Sequence, residues 1–274
     1  MKVECMICPR RCLLGDGQTG FCGARKNIGG TVACDNYGKV TSLALDPIEK
    51  KPLKMFYPGA FVLSAGSYGC NMRCPFCQNH SISMPKEPLA LMHVPPATLV
   101  EEALRLKPKG NIGIAYTYNE PLVGYEYVMD CARLAHSNGL KNIAVTNGNV
   151  EEGPLAELLP YIDAMNIDLK SFSSKYYEKL GGCLETVKRA ISLAAGKTHV
   201  EVTNLIIPDE NDSPDEMAAL STWLSEISDE IPLHVSRSFP CYKYAGRPPA
   251  KVDAVYDLAA VARKRLRHVY TGNC

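Results

Sequence analysis

The sequence predicts an α/β protein with a parallel sheet covered by helices and a small irregular extension at its amino end. After residue 59, short strand-like runs alternate with helix-like segments, which is the pattern of a parallel sheet with crossover helices. The chain has 274 residues, enough for one barrel-sized domain. Residues 1–59 are poor in helical periodicity and rich in Gly, Cys and turn signals. We therefore expect a Cys-rich metal-binding module at 1–59 and an α/β domain at 60–274.

Seven strand-like runs follow one another in the second part of the chain. Each is short and apolar and is bounded by turn residues, as expected for buried strands. The predicted strands are 61–65, 112–115, 142–146, 164–168, 199–207, 232–236 and 268–271.

Helix signals occupy the segments between these strands. Thr98 followed by Glu101 reads as a capping box, and Ser213 precedes a proline with Glu216 three residues on. Apolar residues at helical spacing extend helices over 122–137, 214–227 and 252–266. Six strand–helix repeats make either a partial barrel or an open doubly wound sheet, and the pattern alone does not distinguish them.

Charge and hydropathy exclude two classes of partner. Lys plus Arg total 30 against 29 for Asp plus Glu, so the chain lacks the broad basic field of a nucleic-acid-binding protein. No apolar run approaches the roughly 20 residues that span a bilayer. Charged residues and cysteines interrupt the first residues, where a signal peptide would be apolar. We expect a cytoplasmic protein that binds neither membrane nor nucleic acid.

Twelve cysteines stand out in the composition, and their placement is uneven. Five lie within the first 34 residues and three more lie close together at residues 70–77. Clustered thiols in a reducing compartment are metal ligands more often than disulfide partners.

The second group is a C-x3-C-x2-C run formed by Cys70, Cys74 and Cys77, directly after the first strand of the α/β domain. Three cysteines this close can hold one face of a 4Fe–4S cluster. One iron is then left without a protein ligand, and an exogenous group with an amine and a carboxylate can chelate it. A zinc knuckle that uses His80 as the fourth ligand, or three buried thiols, are the alternatives.

With Phe76 just before the last cysteine, this run resembles the signature of the radical S-adenosylmethionine (SAM) superfamily. The resemblance implies a catalytic cluster on Cys70, Cys74 and Cys77 that reduces SAM to methionine and a deoxyadenosyl radical. It also implies that Phe76 lies near the adenine and that a flavodoxin- or ferredoxin-type protein supplies the electron.

A closer resemblance extends over most of the chain. CPRRC at 8–12, DPIEKKPL at 46–53, YTYNEP at 116–121, VTNG at 145–148 and DAMNIDLKSF at 163–172 are similar to the AmmeMemoRadiSam-system radical SAM enzymes. These are relatives of the pyruvate formate-lyase activating enzymes. The resemblance implies a partial (βα)6 TIM-like barrel of the radical SAM type, with the irregular Cys-rich extension before it.

Strand parity predicts which polar residues face the barrel interior. Apolar neighbours face the helices, which leaves these polar residues inside: Asn166, Asp168, Lys170, Glu201, Thr203, His234 and Ser236. A zwitterionic cofactor would satisfy such buried groups. For His234, a satisfied core histidine is the competing interpretation.

The resemblance assigns roles around SAM. It places Asn119 and Glu120 at the SAM amino group and Lys170, beside Asp168, at the carboxylate. The activating enzymes often carry an acid where this chain has Val145, which puts a monovalent-cation site there in doubt. The full set of expected cofactor-binding residues is Phe76, Asn119, Glu120, Thr146, Asn147, Asp168, Lys170, Thr203 and His234.

The amino-terminal cysteines form a second candidate metal site. Cys5, Cys8, Cys12 and Cys22 supply four thiols in a short segment, and we favour an auxiliary 4Fe–4S cluster over structural zinc. Cys34 is an alternative for one of the four. Cys183, Cys241 and Cys274 receive no role, although Cys241 follows the sixth strand and can overlook the active site.

The leading functional hypothesis is a radical SAM oxidoreductase that abstracts hydrogen from a substrate. The activating-enzyme resemblance suggests a protein substrate, such as a glycyl radical enzyme, and a small molecule is the second choice. The competing hypothesis is a non-catalytic iron–sulfur or zinc-binding scaffold or electron-transfer protein.

Overall fold

The computed structural model describes residues 2–85 and 88–274. The amino-terminal part contains short antiparallel ribbons. Strand β1 pairs with β2, β3 pairs with β4, and β5 pairs with β8 from later in the chain. Their bounds are β1 Val3–Glu4, β2 Leu13–Leu14, β3 Arg25–Ile28, β4 Thr31–Cys34, β5 Lys39–Val40 and β8 Met92–His93.

The remaining eight strands form one sheet. Their bounds are β6 Ser42–Pro47, β7 Phe61–Gly66, β9 Asn111–Tyr116, β10 Lys141–Thr146, β11 Ala164–Asp168, β12 His199–Ile206, β13 Leu233–Arg237 and β14 Val269–Gly272. The order across the sheet is β14-β13-β12-β11-β10-β9-β7-β6. All neighbouring pairs are parallel except β6 with β7, which is antiparallel.

Helices connect the parallel strands. Their bounds are α1 His80–Ser83, α2 Pro96–Arg105, α3 Tyr125–Ser137, α4 Glu152–Leu158, α5 Ser174–Leu180, α6 Leu184–Ala195, α7 Pro214–Ile227 and α8 Val252–Ala262. Short 3-10 segments occur at Ile48–Lys50, Lys107–Lys109, Pro121–Gly124, Leu159–Tyr161 and Tyr242–Tyr244. Within the described residues, the structure contains no helix that is both long and apolar enough to cross a membrane.

The predicted α/β fold is confirmed. Each predicted strand corresponds to an observed one, and six strand–helix units are followed by the closing strand β14. Parity also holds: Ile167, Val202 and Val235 pack in the large core cluster with the helices. Burial of an aliphatic side chain of this size contributes about 1.5–3 kcal/mol, so this alternation is strongly favoured.

The predicted helix caps differ from the observed ones. Helix α2 begins at Pro96 rather than after Thr98. Ser213 precedes α7 but makes no side-chain cap hydrogen bond. Glu216 does not reach back either, because its Oε1 accepts hydrogen bonds from Ser171 Oγ at 2.6 Å and Phe172 N at 2.7 Å. The Glu216 carboxylate therefore accepts hydrogen bonds from the loop after β11 instead of from the start of its own helix.

The structure also differs from the predicted boundary at residue 59. Strand β6 pairs with β7 from Ser42 opposite Gly66 to Pro47 opposite Phe61, so it belongs to the main sheet. Residues 48–56, which we call the inserted segment, then enter the amino end of the barrel. Leu53 of this segment is fully buried in a cluster with inward-facing Ala115 of β9. The sequence pattern did not predict that this segment enters the barrel, because the segment has the pattern of an irregular loop.

Candidate active site

A cavity of about 480 Å³ lies where the parallel strands end. The active sites of β/α barrels occupy this end of the fold. The loops after β7, β9, β10 and β11 contribute most of its wall. The expected site residues that line it are Cys70, Cys74, Phe76, Cys77, Asn119, Glu120, Thr146, Asn147, Asp168, Lys170 and Thr203.

The cysteine loop, residues 69–79, is held by main-chain contacts. Gly69 has φ +91°, a conformation that suits glycine, and the Cys70 amide donates to Cys22 O at 3.0 Å. Arg73 N donates to Leu180 O at 2.8 Å, and the Arg73 guanidinium donates to Cys70 O at 2.7 Å. These bonds fix the loop from both sides before any metal binds.

The surroundings of the three thiols in this loop disfavour the ionised thiolate form. Burial raises the pKa of the Cys74 thiol to about 11, and it also raises the pKa values of Cys70 and Cys77. The nearby Glu120 and Cys74 also raise the pKa of the Cys70 thiol. Because ligation requires thiolates, a cluster that supplies positive charge would have to hold them in that form.

Three thiols and His80 are the candidate metal ligands of this loop. A 4Fe–4S cluster binds each thiolate to a different iron, whereas zinc needs its ligands within about 2.3 Å of one point. Across residues 2–85 and 88–274, no group of three or more Cys, His, Asp or Glu side chains is placed to hold a single metal ion. His80, the possible zinc ligand, instead approaches Cys77 O at 3.2 Å and stacks on Tyr242 at 4.4 Å.

Glu120 is a buried carboxylate with a full set of donors. Its Oε1 accepts from Thr146 Oγ1 at 2.7 Å and Leu122 N at 3.0 Å, and its Oε2 accepts from Asn147 N at 2.7 Å. Burial raises the pKa of Glu120 to about 7, and these donors limit the rise. The carboxylate is therefore rigidly placed in the cavity and gains from a cationic partner.

Two asparagines connect neighbouring loops to the cysteine loop. Asn119 Nδ2 donates to Gly69 O at 3.1 Å, and its Oδ1 accepts from Ser67 N at 2.9 Å. Asn147 Nδ2 donates to Asn71 Oδ1 at 2.9 Å and lies 3.6 Å from Cys70 Sγ. The ends of β7, β9 and β10 are thus held in one rigid frame.

Asp168 and Lys170 form an ion pair at the end of β11, with Nζ to Oδ2 at 2.7 Å. Burial disfavours the charge on Lys170, but Asp168 and the Cys74 sulfur outweigh it and raise the pKa of the ammonium. Thr203 Oγ1 donates to Asn166 Oδ1 at 3.0 Å on the adjacent strands. This wall of the cavity therefore presents a fixed cation and a hydroxyl.

His234 does not take the cofactor-binding position expected from its parity. Its Nε2 lies 2.6 Å from Glu201 Oε2, and His199 Nε2 lies 2.9 Å from Oε1. Glu201 also accepts from Lys54 N and Met55 N of the inserted segment. His234 faces inward, but below the residues that line the cavity in the described part of the chain. The competing interpretation, a satisfied core histidine, describes this geometry.

The amino-terminal cysteines are brought together only in part. The thiols of Cys5, Cys8 and Cys22 are mutual neighbours, and after burial their proximity contributes to the raised pKa of Cys8. Cys12 is tied to Cys5 by a main-chain hydrogen bond of 2.9 Å. Cys34 lies elsewhere, with its Sγ donating to Asn36 Oδ1 at 2.9 Å.

Sequence reasoning did not assign several residues that line or adjoin this cavity. Lys50, Lys51 and Tyr118 line it directly. Two of them belong to the DPIEKKPL motif, whose paired lysines were the available signal, but the motif was assigned to the amino-terminal module. Cys241 adjoins the cysteine loop, since its Sγ lies 3.5 Å from Cys77 O.

Three clustered thiols at the carboxyl end of the parallel strands share one cavity with a buried carboxylate and a lysine, as expected of an enzyme that binds SAM at an iron–sulfur cluster. Residues 65–220 match the family model of the radical SAM superfamily. The chain belongs to that superfamily. We expect the residues named above to hold its cluster and SAM.

Individual relatives show the extent of the similarity. The chain is 43% identical over 280 residues to an uncharacterized protein of Methanocaldococcus jannaschii, MJ0808, across 99% of this chain and 81% of that protein. A domain of pyruvate-formate lyase-activating enzyme from Bacteroides vulgatus superposes with TM-score 0.52 at 14% identity, over 59% of this chain and 99% of the domain. Streptococcus suis SuiB bound to SAM superposes with TM-score 0.58 at 14% identity, over 78% of this chain and 52% of the SuiB chain.

Proposed function

We infer that this protein cleaves SAM reductively at a 4Fe–4S cluster held by Cys70, Cys74 and Cys77 and abstracts hydrogen from a bound substrate. The observation that carries this inference is the shared cavity: the three thiols, Glu120 and Lys170 all line it. When bound, the cluster would supply the electron that SAM cleavage requires. The protein's own residues bind, orient and shield the reactants.

The two charged side chains match the two charges of the SAM amino-acid group. Glu120 would accept hydrogen bonds from the SAM ammonium, and Lys170 would pair with the carboxylate. Both side chains are preorganised by the bonds described above, so little ordering cost remains on binding. Phe76, which is buried in the cavity wall and lies 6.2 Å from the Tyr244 ring, would contact the adenine.

The substrate is proposed in two forms. A protein segment, as in an activating enzyme of the AmmeMemoRadiSam type, agrees with the motif resemblance and with the shared fold of the pyruvate-formate lyase-activating enzyme domain. A small molecule is the second form, supported by the cavity of about 480 Å³ at the strand ends. Both require the same radical step.

A second 4Fe–4S cluster on Cys5, Cys8, Cys12 and Cys22 is part of the proposal, with structural zinc as the alternative. The proximity of Cys5, Cys8 and Cys22 supports a metal site there.

The electron donor is proposed to be a flavodoxin- or ferredoxin-type protein, and the compartment the cytoplasm. All twelve cysteines are free, as suits a reducing compartment.

The test is anaerobic reconstitution with iron and sulfide, followed by dithionite and SAM. The enzyme should release deoxyadenosine, and Cys74→Ala should abolish release because it removes a cluster ligand. Cys131→Ala is the matched control, because Cys131 is fully buried in α3, away from the cavity wall. A scaffold would release no deoxyadenosine, and persistent release from fully loaded Cys74→Ala would overturn the ligand assignment.

A further inference from the structure

Charged side chains line the cavity in three groups, and in one of them two lysines share one carboxylate. Asp168 and Lys170 pair one to one. Glu120 is matched by three hydrogen-bond donors. The third group contains two lysines, Lys50 and Lys51, from the start of the inserted segment.

These lysines share a single carboxylate. Lys51 Nζ lies 2.9 Å from Asp46 Oδ2, and Lys50 Nζ lies 3.3 Å from Asp46 Oδ1. Tyr118 donates its hydroxyl proton to the same carboxylate at 2.7 Å. Two ammonium groups therefore share one carboxylate; Lys50 is 67% exposed and solvated, so Lys51 is the buried member of the group.

The Lys51 ammonium is deeply buried yet incompletely paired. Its side chain is 3% exposed, and Asp46 is its one hydrogen-bond partner in the described part of the chain, although an ammonium carries three donors. The Tyr118 ring lies 4.8 Å away and gives a weaker cation–π contact. Buried charges without partners are costly, so the open donors favour an anion in the cavity.

SAM does not account for the open donors of Lys51. Its ammonium and carboxylate are matched by Glu120 and Lys170 at the ends of β9 and β11 in the proposed binding mode. Lys50 and Lys51 enter from a different element, the connection between β6 and β7. The open donors of Lys51 are therefore available to a second ligand in the same cavity.

We propose that Lys50 and Lys51 bind an anionic group of the substrate, a carboxylate or a phosphate. This rests on the proposed function, since it concerns the substrate of that same site. Tyr118 connects this position to the cysteine loop, because Asn79 Nδ2 donates to Tyr118 O at 2.8 Å. An anion held by the lysines would fix the orientation of the substrate relative to that loop.

Asp46 competes with such an anion for both ammonium groups. Its pKa is held well below the usual range: burial opposes ionisation, but Lys51 and Tyr118 outweigh burial, so the carboxylate is ionised at neutral pH. Removing its charge should therefore strengthen anion binding. A misfolded variant would bind the anion more weakly, so a gain in affinity in this variant cannot be explained by misfolding.

The experiment is calorimetric titration of the anaerobically reconstituted, SAM-loaded protein with inorganic phosphate and, separately, with succinate at constant ionic strength. We expect one of the two probes to bind and Lys51→Met to weaken its affinity by about tenfold or more. Asp46→Asn should strengthen the affinity. Whichever probe binds identifies the anion as phosphate or carboxylate.

Lys54→Met is the matched control, because Lys54 lies in the same segment but its side chain is exposed and does not line the cavity. The proposal is overturned if neither probe binds, if Lys51→Met binds as tightly as the parent, or if Asp46→Asn weakens binding. Deoxyadenosine release, measured on the same preparations, tests the proposed function separately. A protein that binds the anion but releases no deoxyadenosine would refute that function alone.

Discussion

The carbonyl of Cys22 accepts a hydrogen bond from the amide of Cys70 at 3.0 Å, so the amino-terminal module contacts the cysteine loop through main-chain atoms. The Arg73 guanidinium adds to this contact by lying 3.8 Å from the centre of the Phe21 ring and donating to Phe21 O. The two cysteine groups are therefore mechanically connected, and a change at one should be felt at the other.

Gly69→Ala should disrupt this connection. A Cβ at Gly69 would lie 2.7 Å from Cys22 O and 2.7 Å from the Ala24 Cβ, and φ is +91°. We expect a loss of unfolding free energy of about 2 kcal/mol or more, because strain and overpacking add. Denaturant unfolding and iron content measure the effect.

Gly23→Ala is the control for the glycine test. Its φ is +75°, but a Cβ there meets nothing within 4 Å, so it shares the backbone strain without the clash. Equal losses in the two variants would show that close approach to Cys22 is unimportant.

The binding of SAM should depend on pH through Glu120. Burial raises the pKa of this carboxyl to about 7, so the group is partly protonated at neutral pH and becomes a better partner for an ammonium as pH rises. We expect SAM affinity to increase between about pH 6 and pH 7.5, with proton release on binding. Calorimetry in buffers of different ionisation enthalpy measures both.

Glu120→Gln should weaken SAM binding by about tenfold and flatten its pH profile over this range. Glu152→Gln, at an exposed position in α4, should leave both unchanged. An unaltered pH profile in Glu120→Gln would contradict the assigned role.

Glu201 should stabilise the fold above mildly acidic pH. Burial opposes its ionisation, but hydrogen bonds from His199, His234, Lys54 N and Met55 N lower its pKa to about 2. A carboxyl with a depressed folded pKa contributes stability above its unfolded pKa of 4.5, and this is lost as pH falls toward 2. The contribution is about 3 kcal/mol.

Glu201→Gln should therefore reduce the unfolding free energy at pH 7 by about 3 kcal/mol and should reduce it less near pH 3. Denaturant titration at both pH values checks this. Glu226→Gln, at an exposed position in α7, serves as the control. If Glu201→Gln lost as much unfolding free energy near pH 3 as at pH 7, the charge of the Glu201 carboxylate would not be the cause.

Replacing Cys5, Cys8, Cys12 and Cys22 by Ala tests the second cluster. The reconstituted parent should hold about eight irons per chain, and the quadruple variant about four while still binding SAM. Cys34→Ala should keep the full iron content, because the Cys34 thiol donates to Asn36 Oδ1 and is not one of the four proposed ligands. One zinc and only four irons in the parent would decide for structural zinc, and the variant's amino-terminal segment would become sensitive to protease.

The sequence predicted what depends on local pattern. The alternation of inward and outward residues correctly faced Asp168 and Thr203 toward the cavity, and the spacing of Cys70, Cys74 and Cys77 marked the cysteine loop after β7. Both features are set within a few residues of chain.

What it missed depends on contacts between distant segments. Lys51 reaches the cavity because residues 48–56 enter the barrel, and no local periodicity reports that. His234 faces inward as predicted, but it pairs with Glu201, whose carboxylate also accepts hydrogen bonds from the inserted segment. Glu216 fits a capping box, but Ser171 and Phe172 compete for its carboxylate.

The inserted segment also constrains the order in which the chain can fold. Its Lys54 amide bonds to Glu201 across 147 residues of sequence, and its Asn166 contact at Pro52 spans 114. Contacts between residues so far apart in sequence form slowly, because the entropy of closing a long loop is lost before the contacts stabilise the fold. Strands β6 and β7 leave the ribosome long before β12 exists, so the inserted segment between them must wait for its partner Glu201. We expect the barrel interior to close last, after most of the parallel sheet has paired.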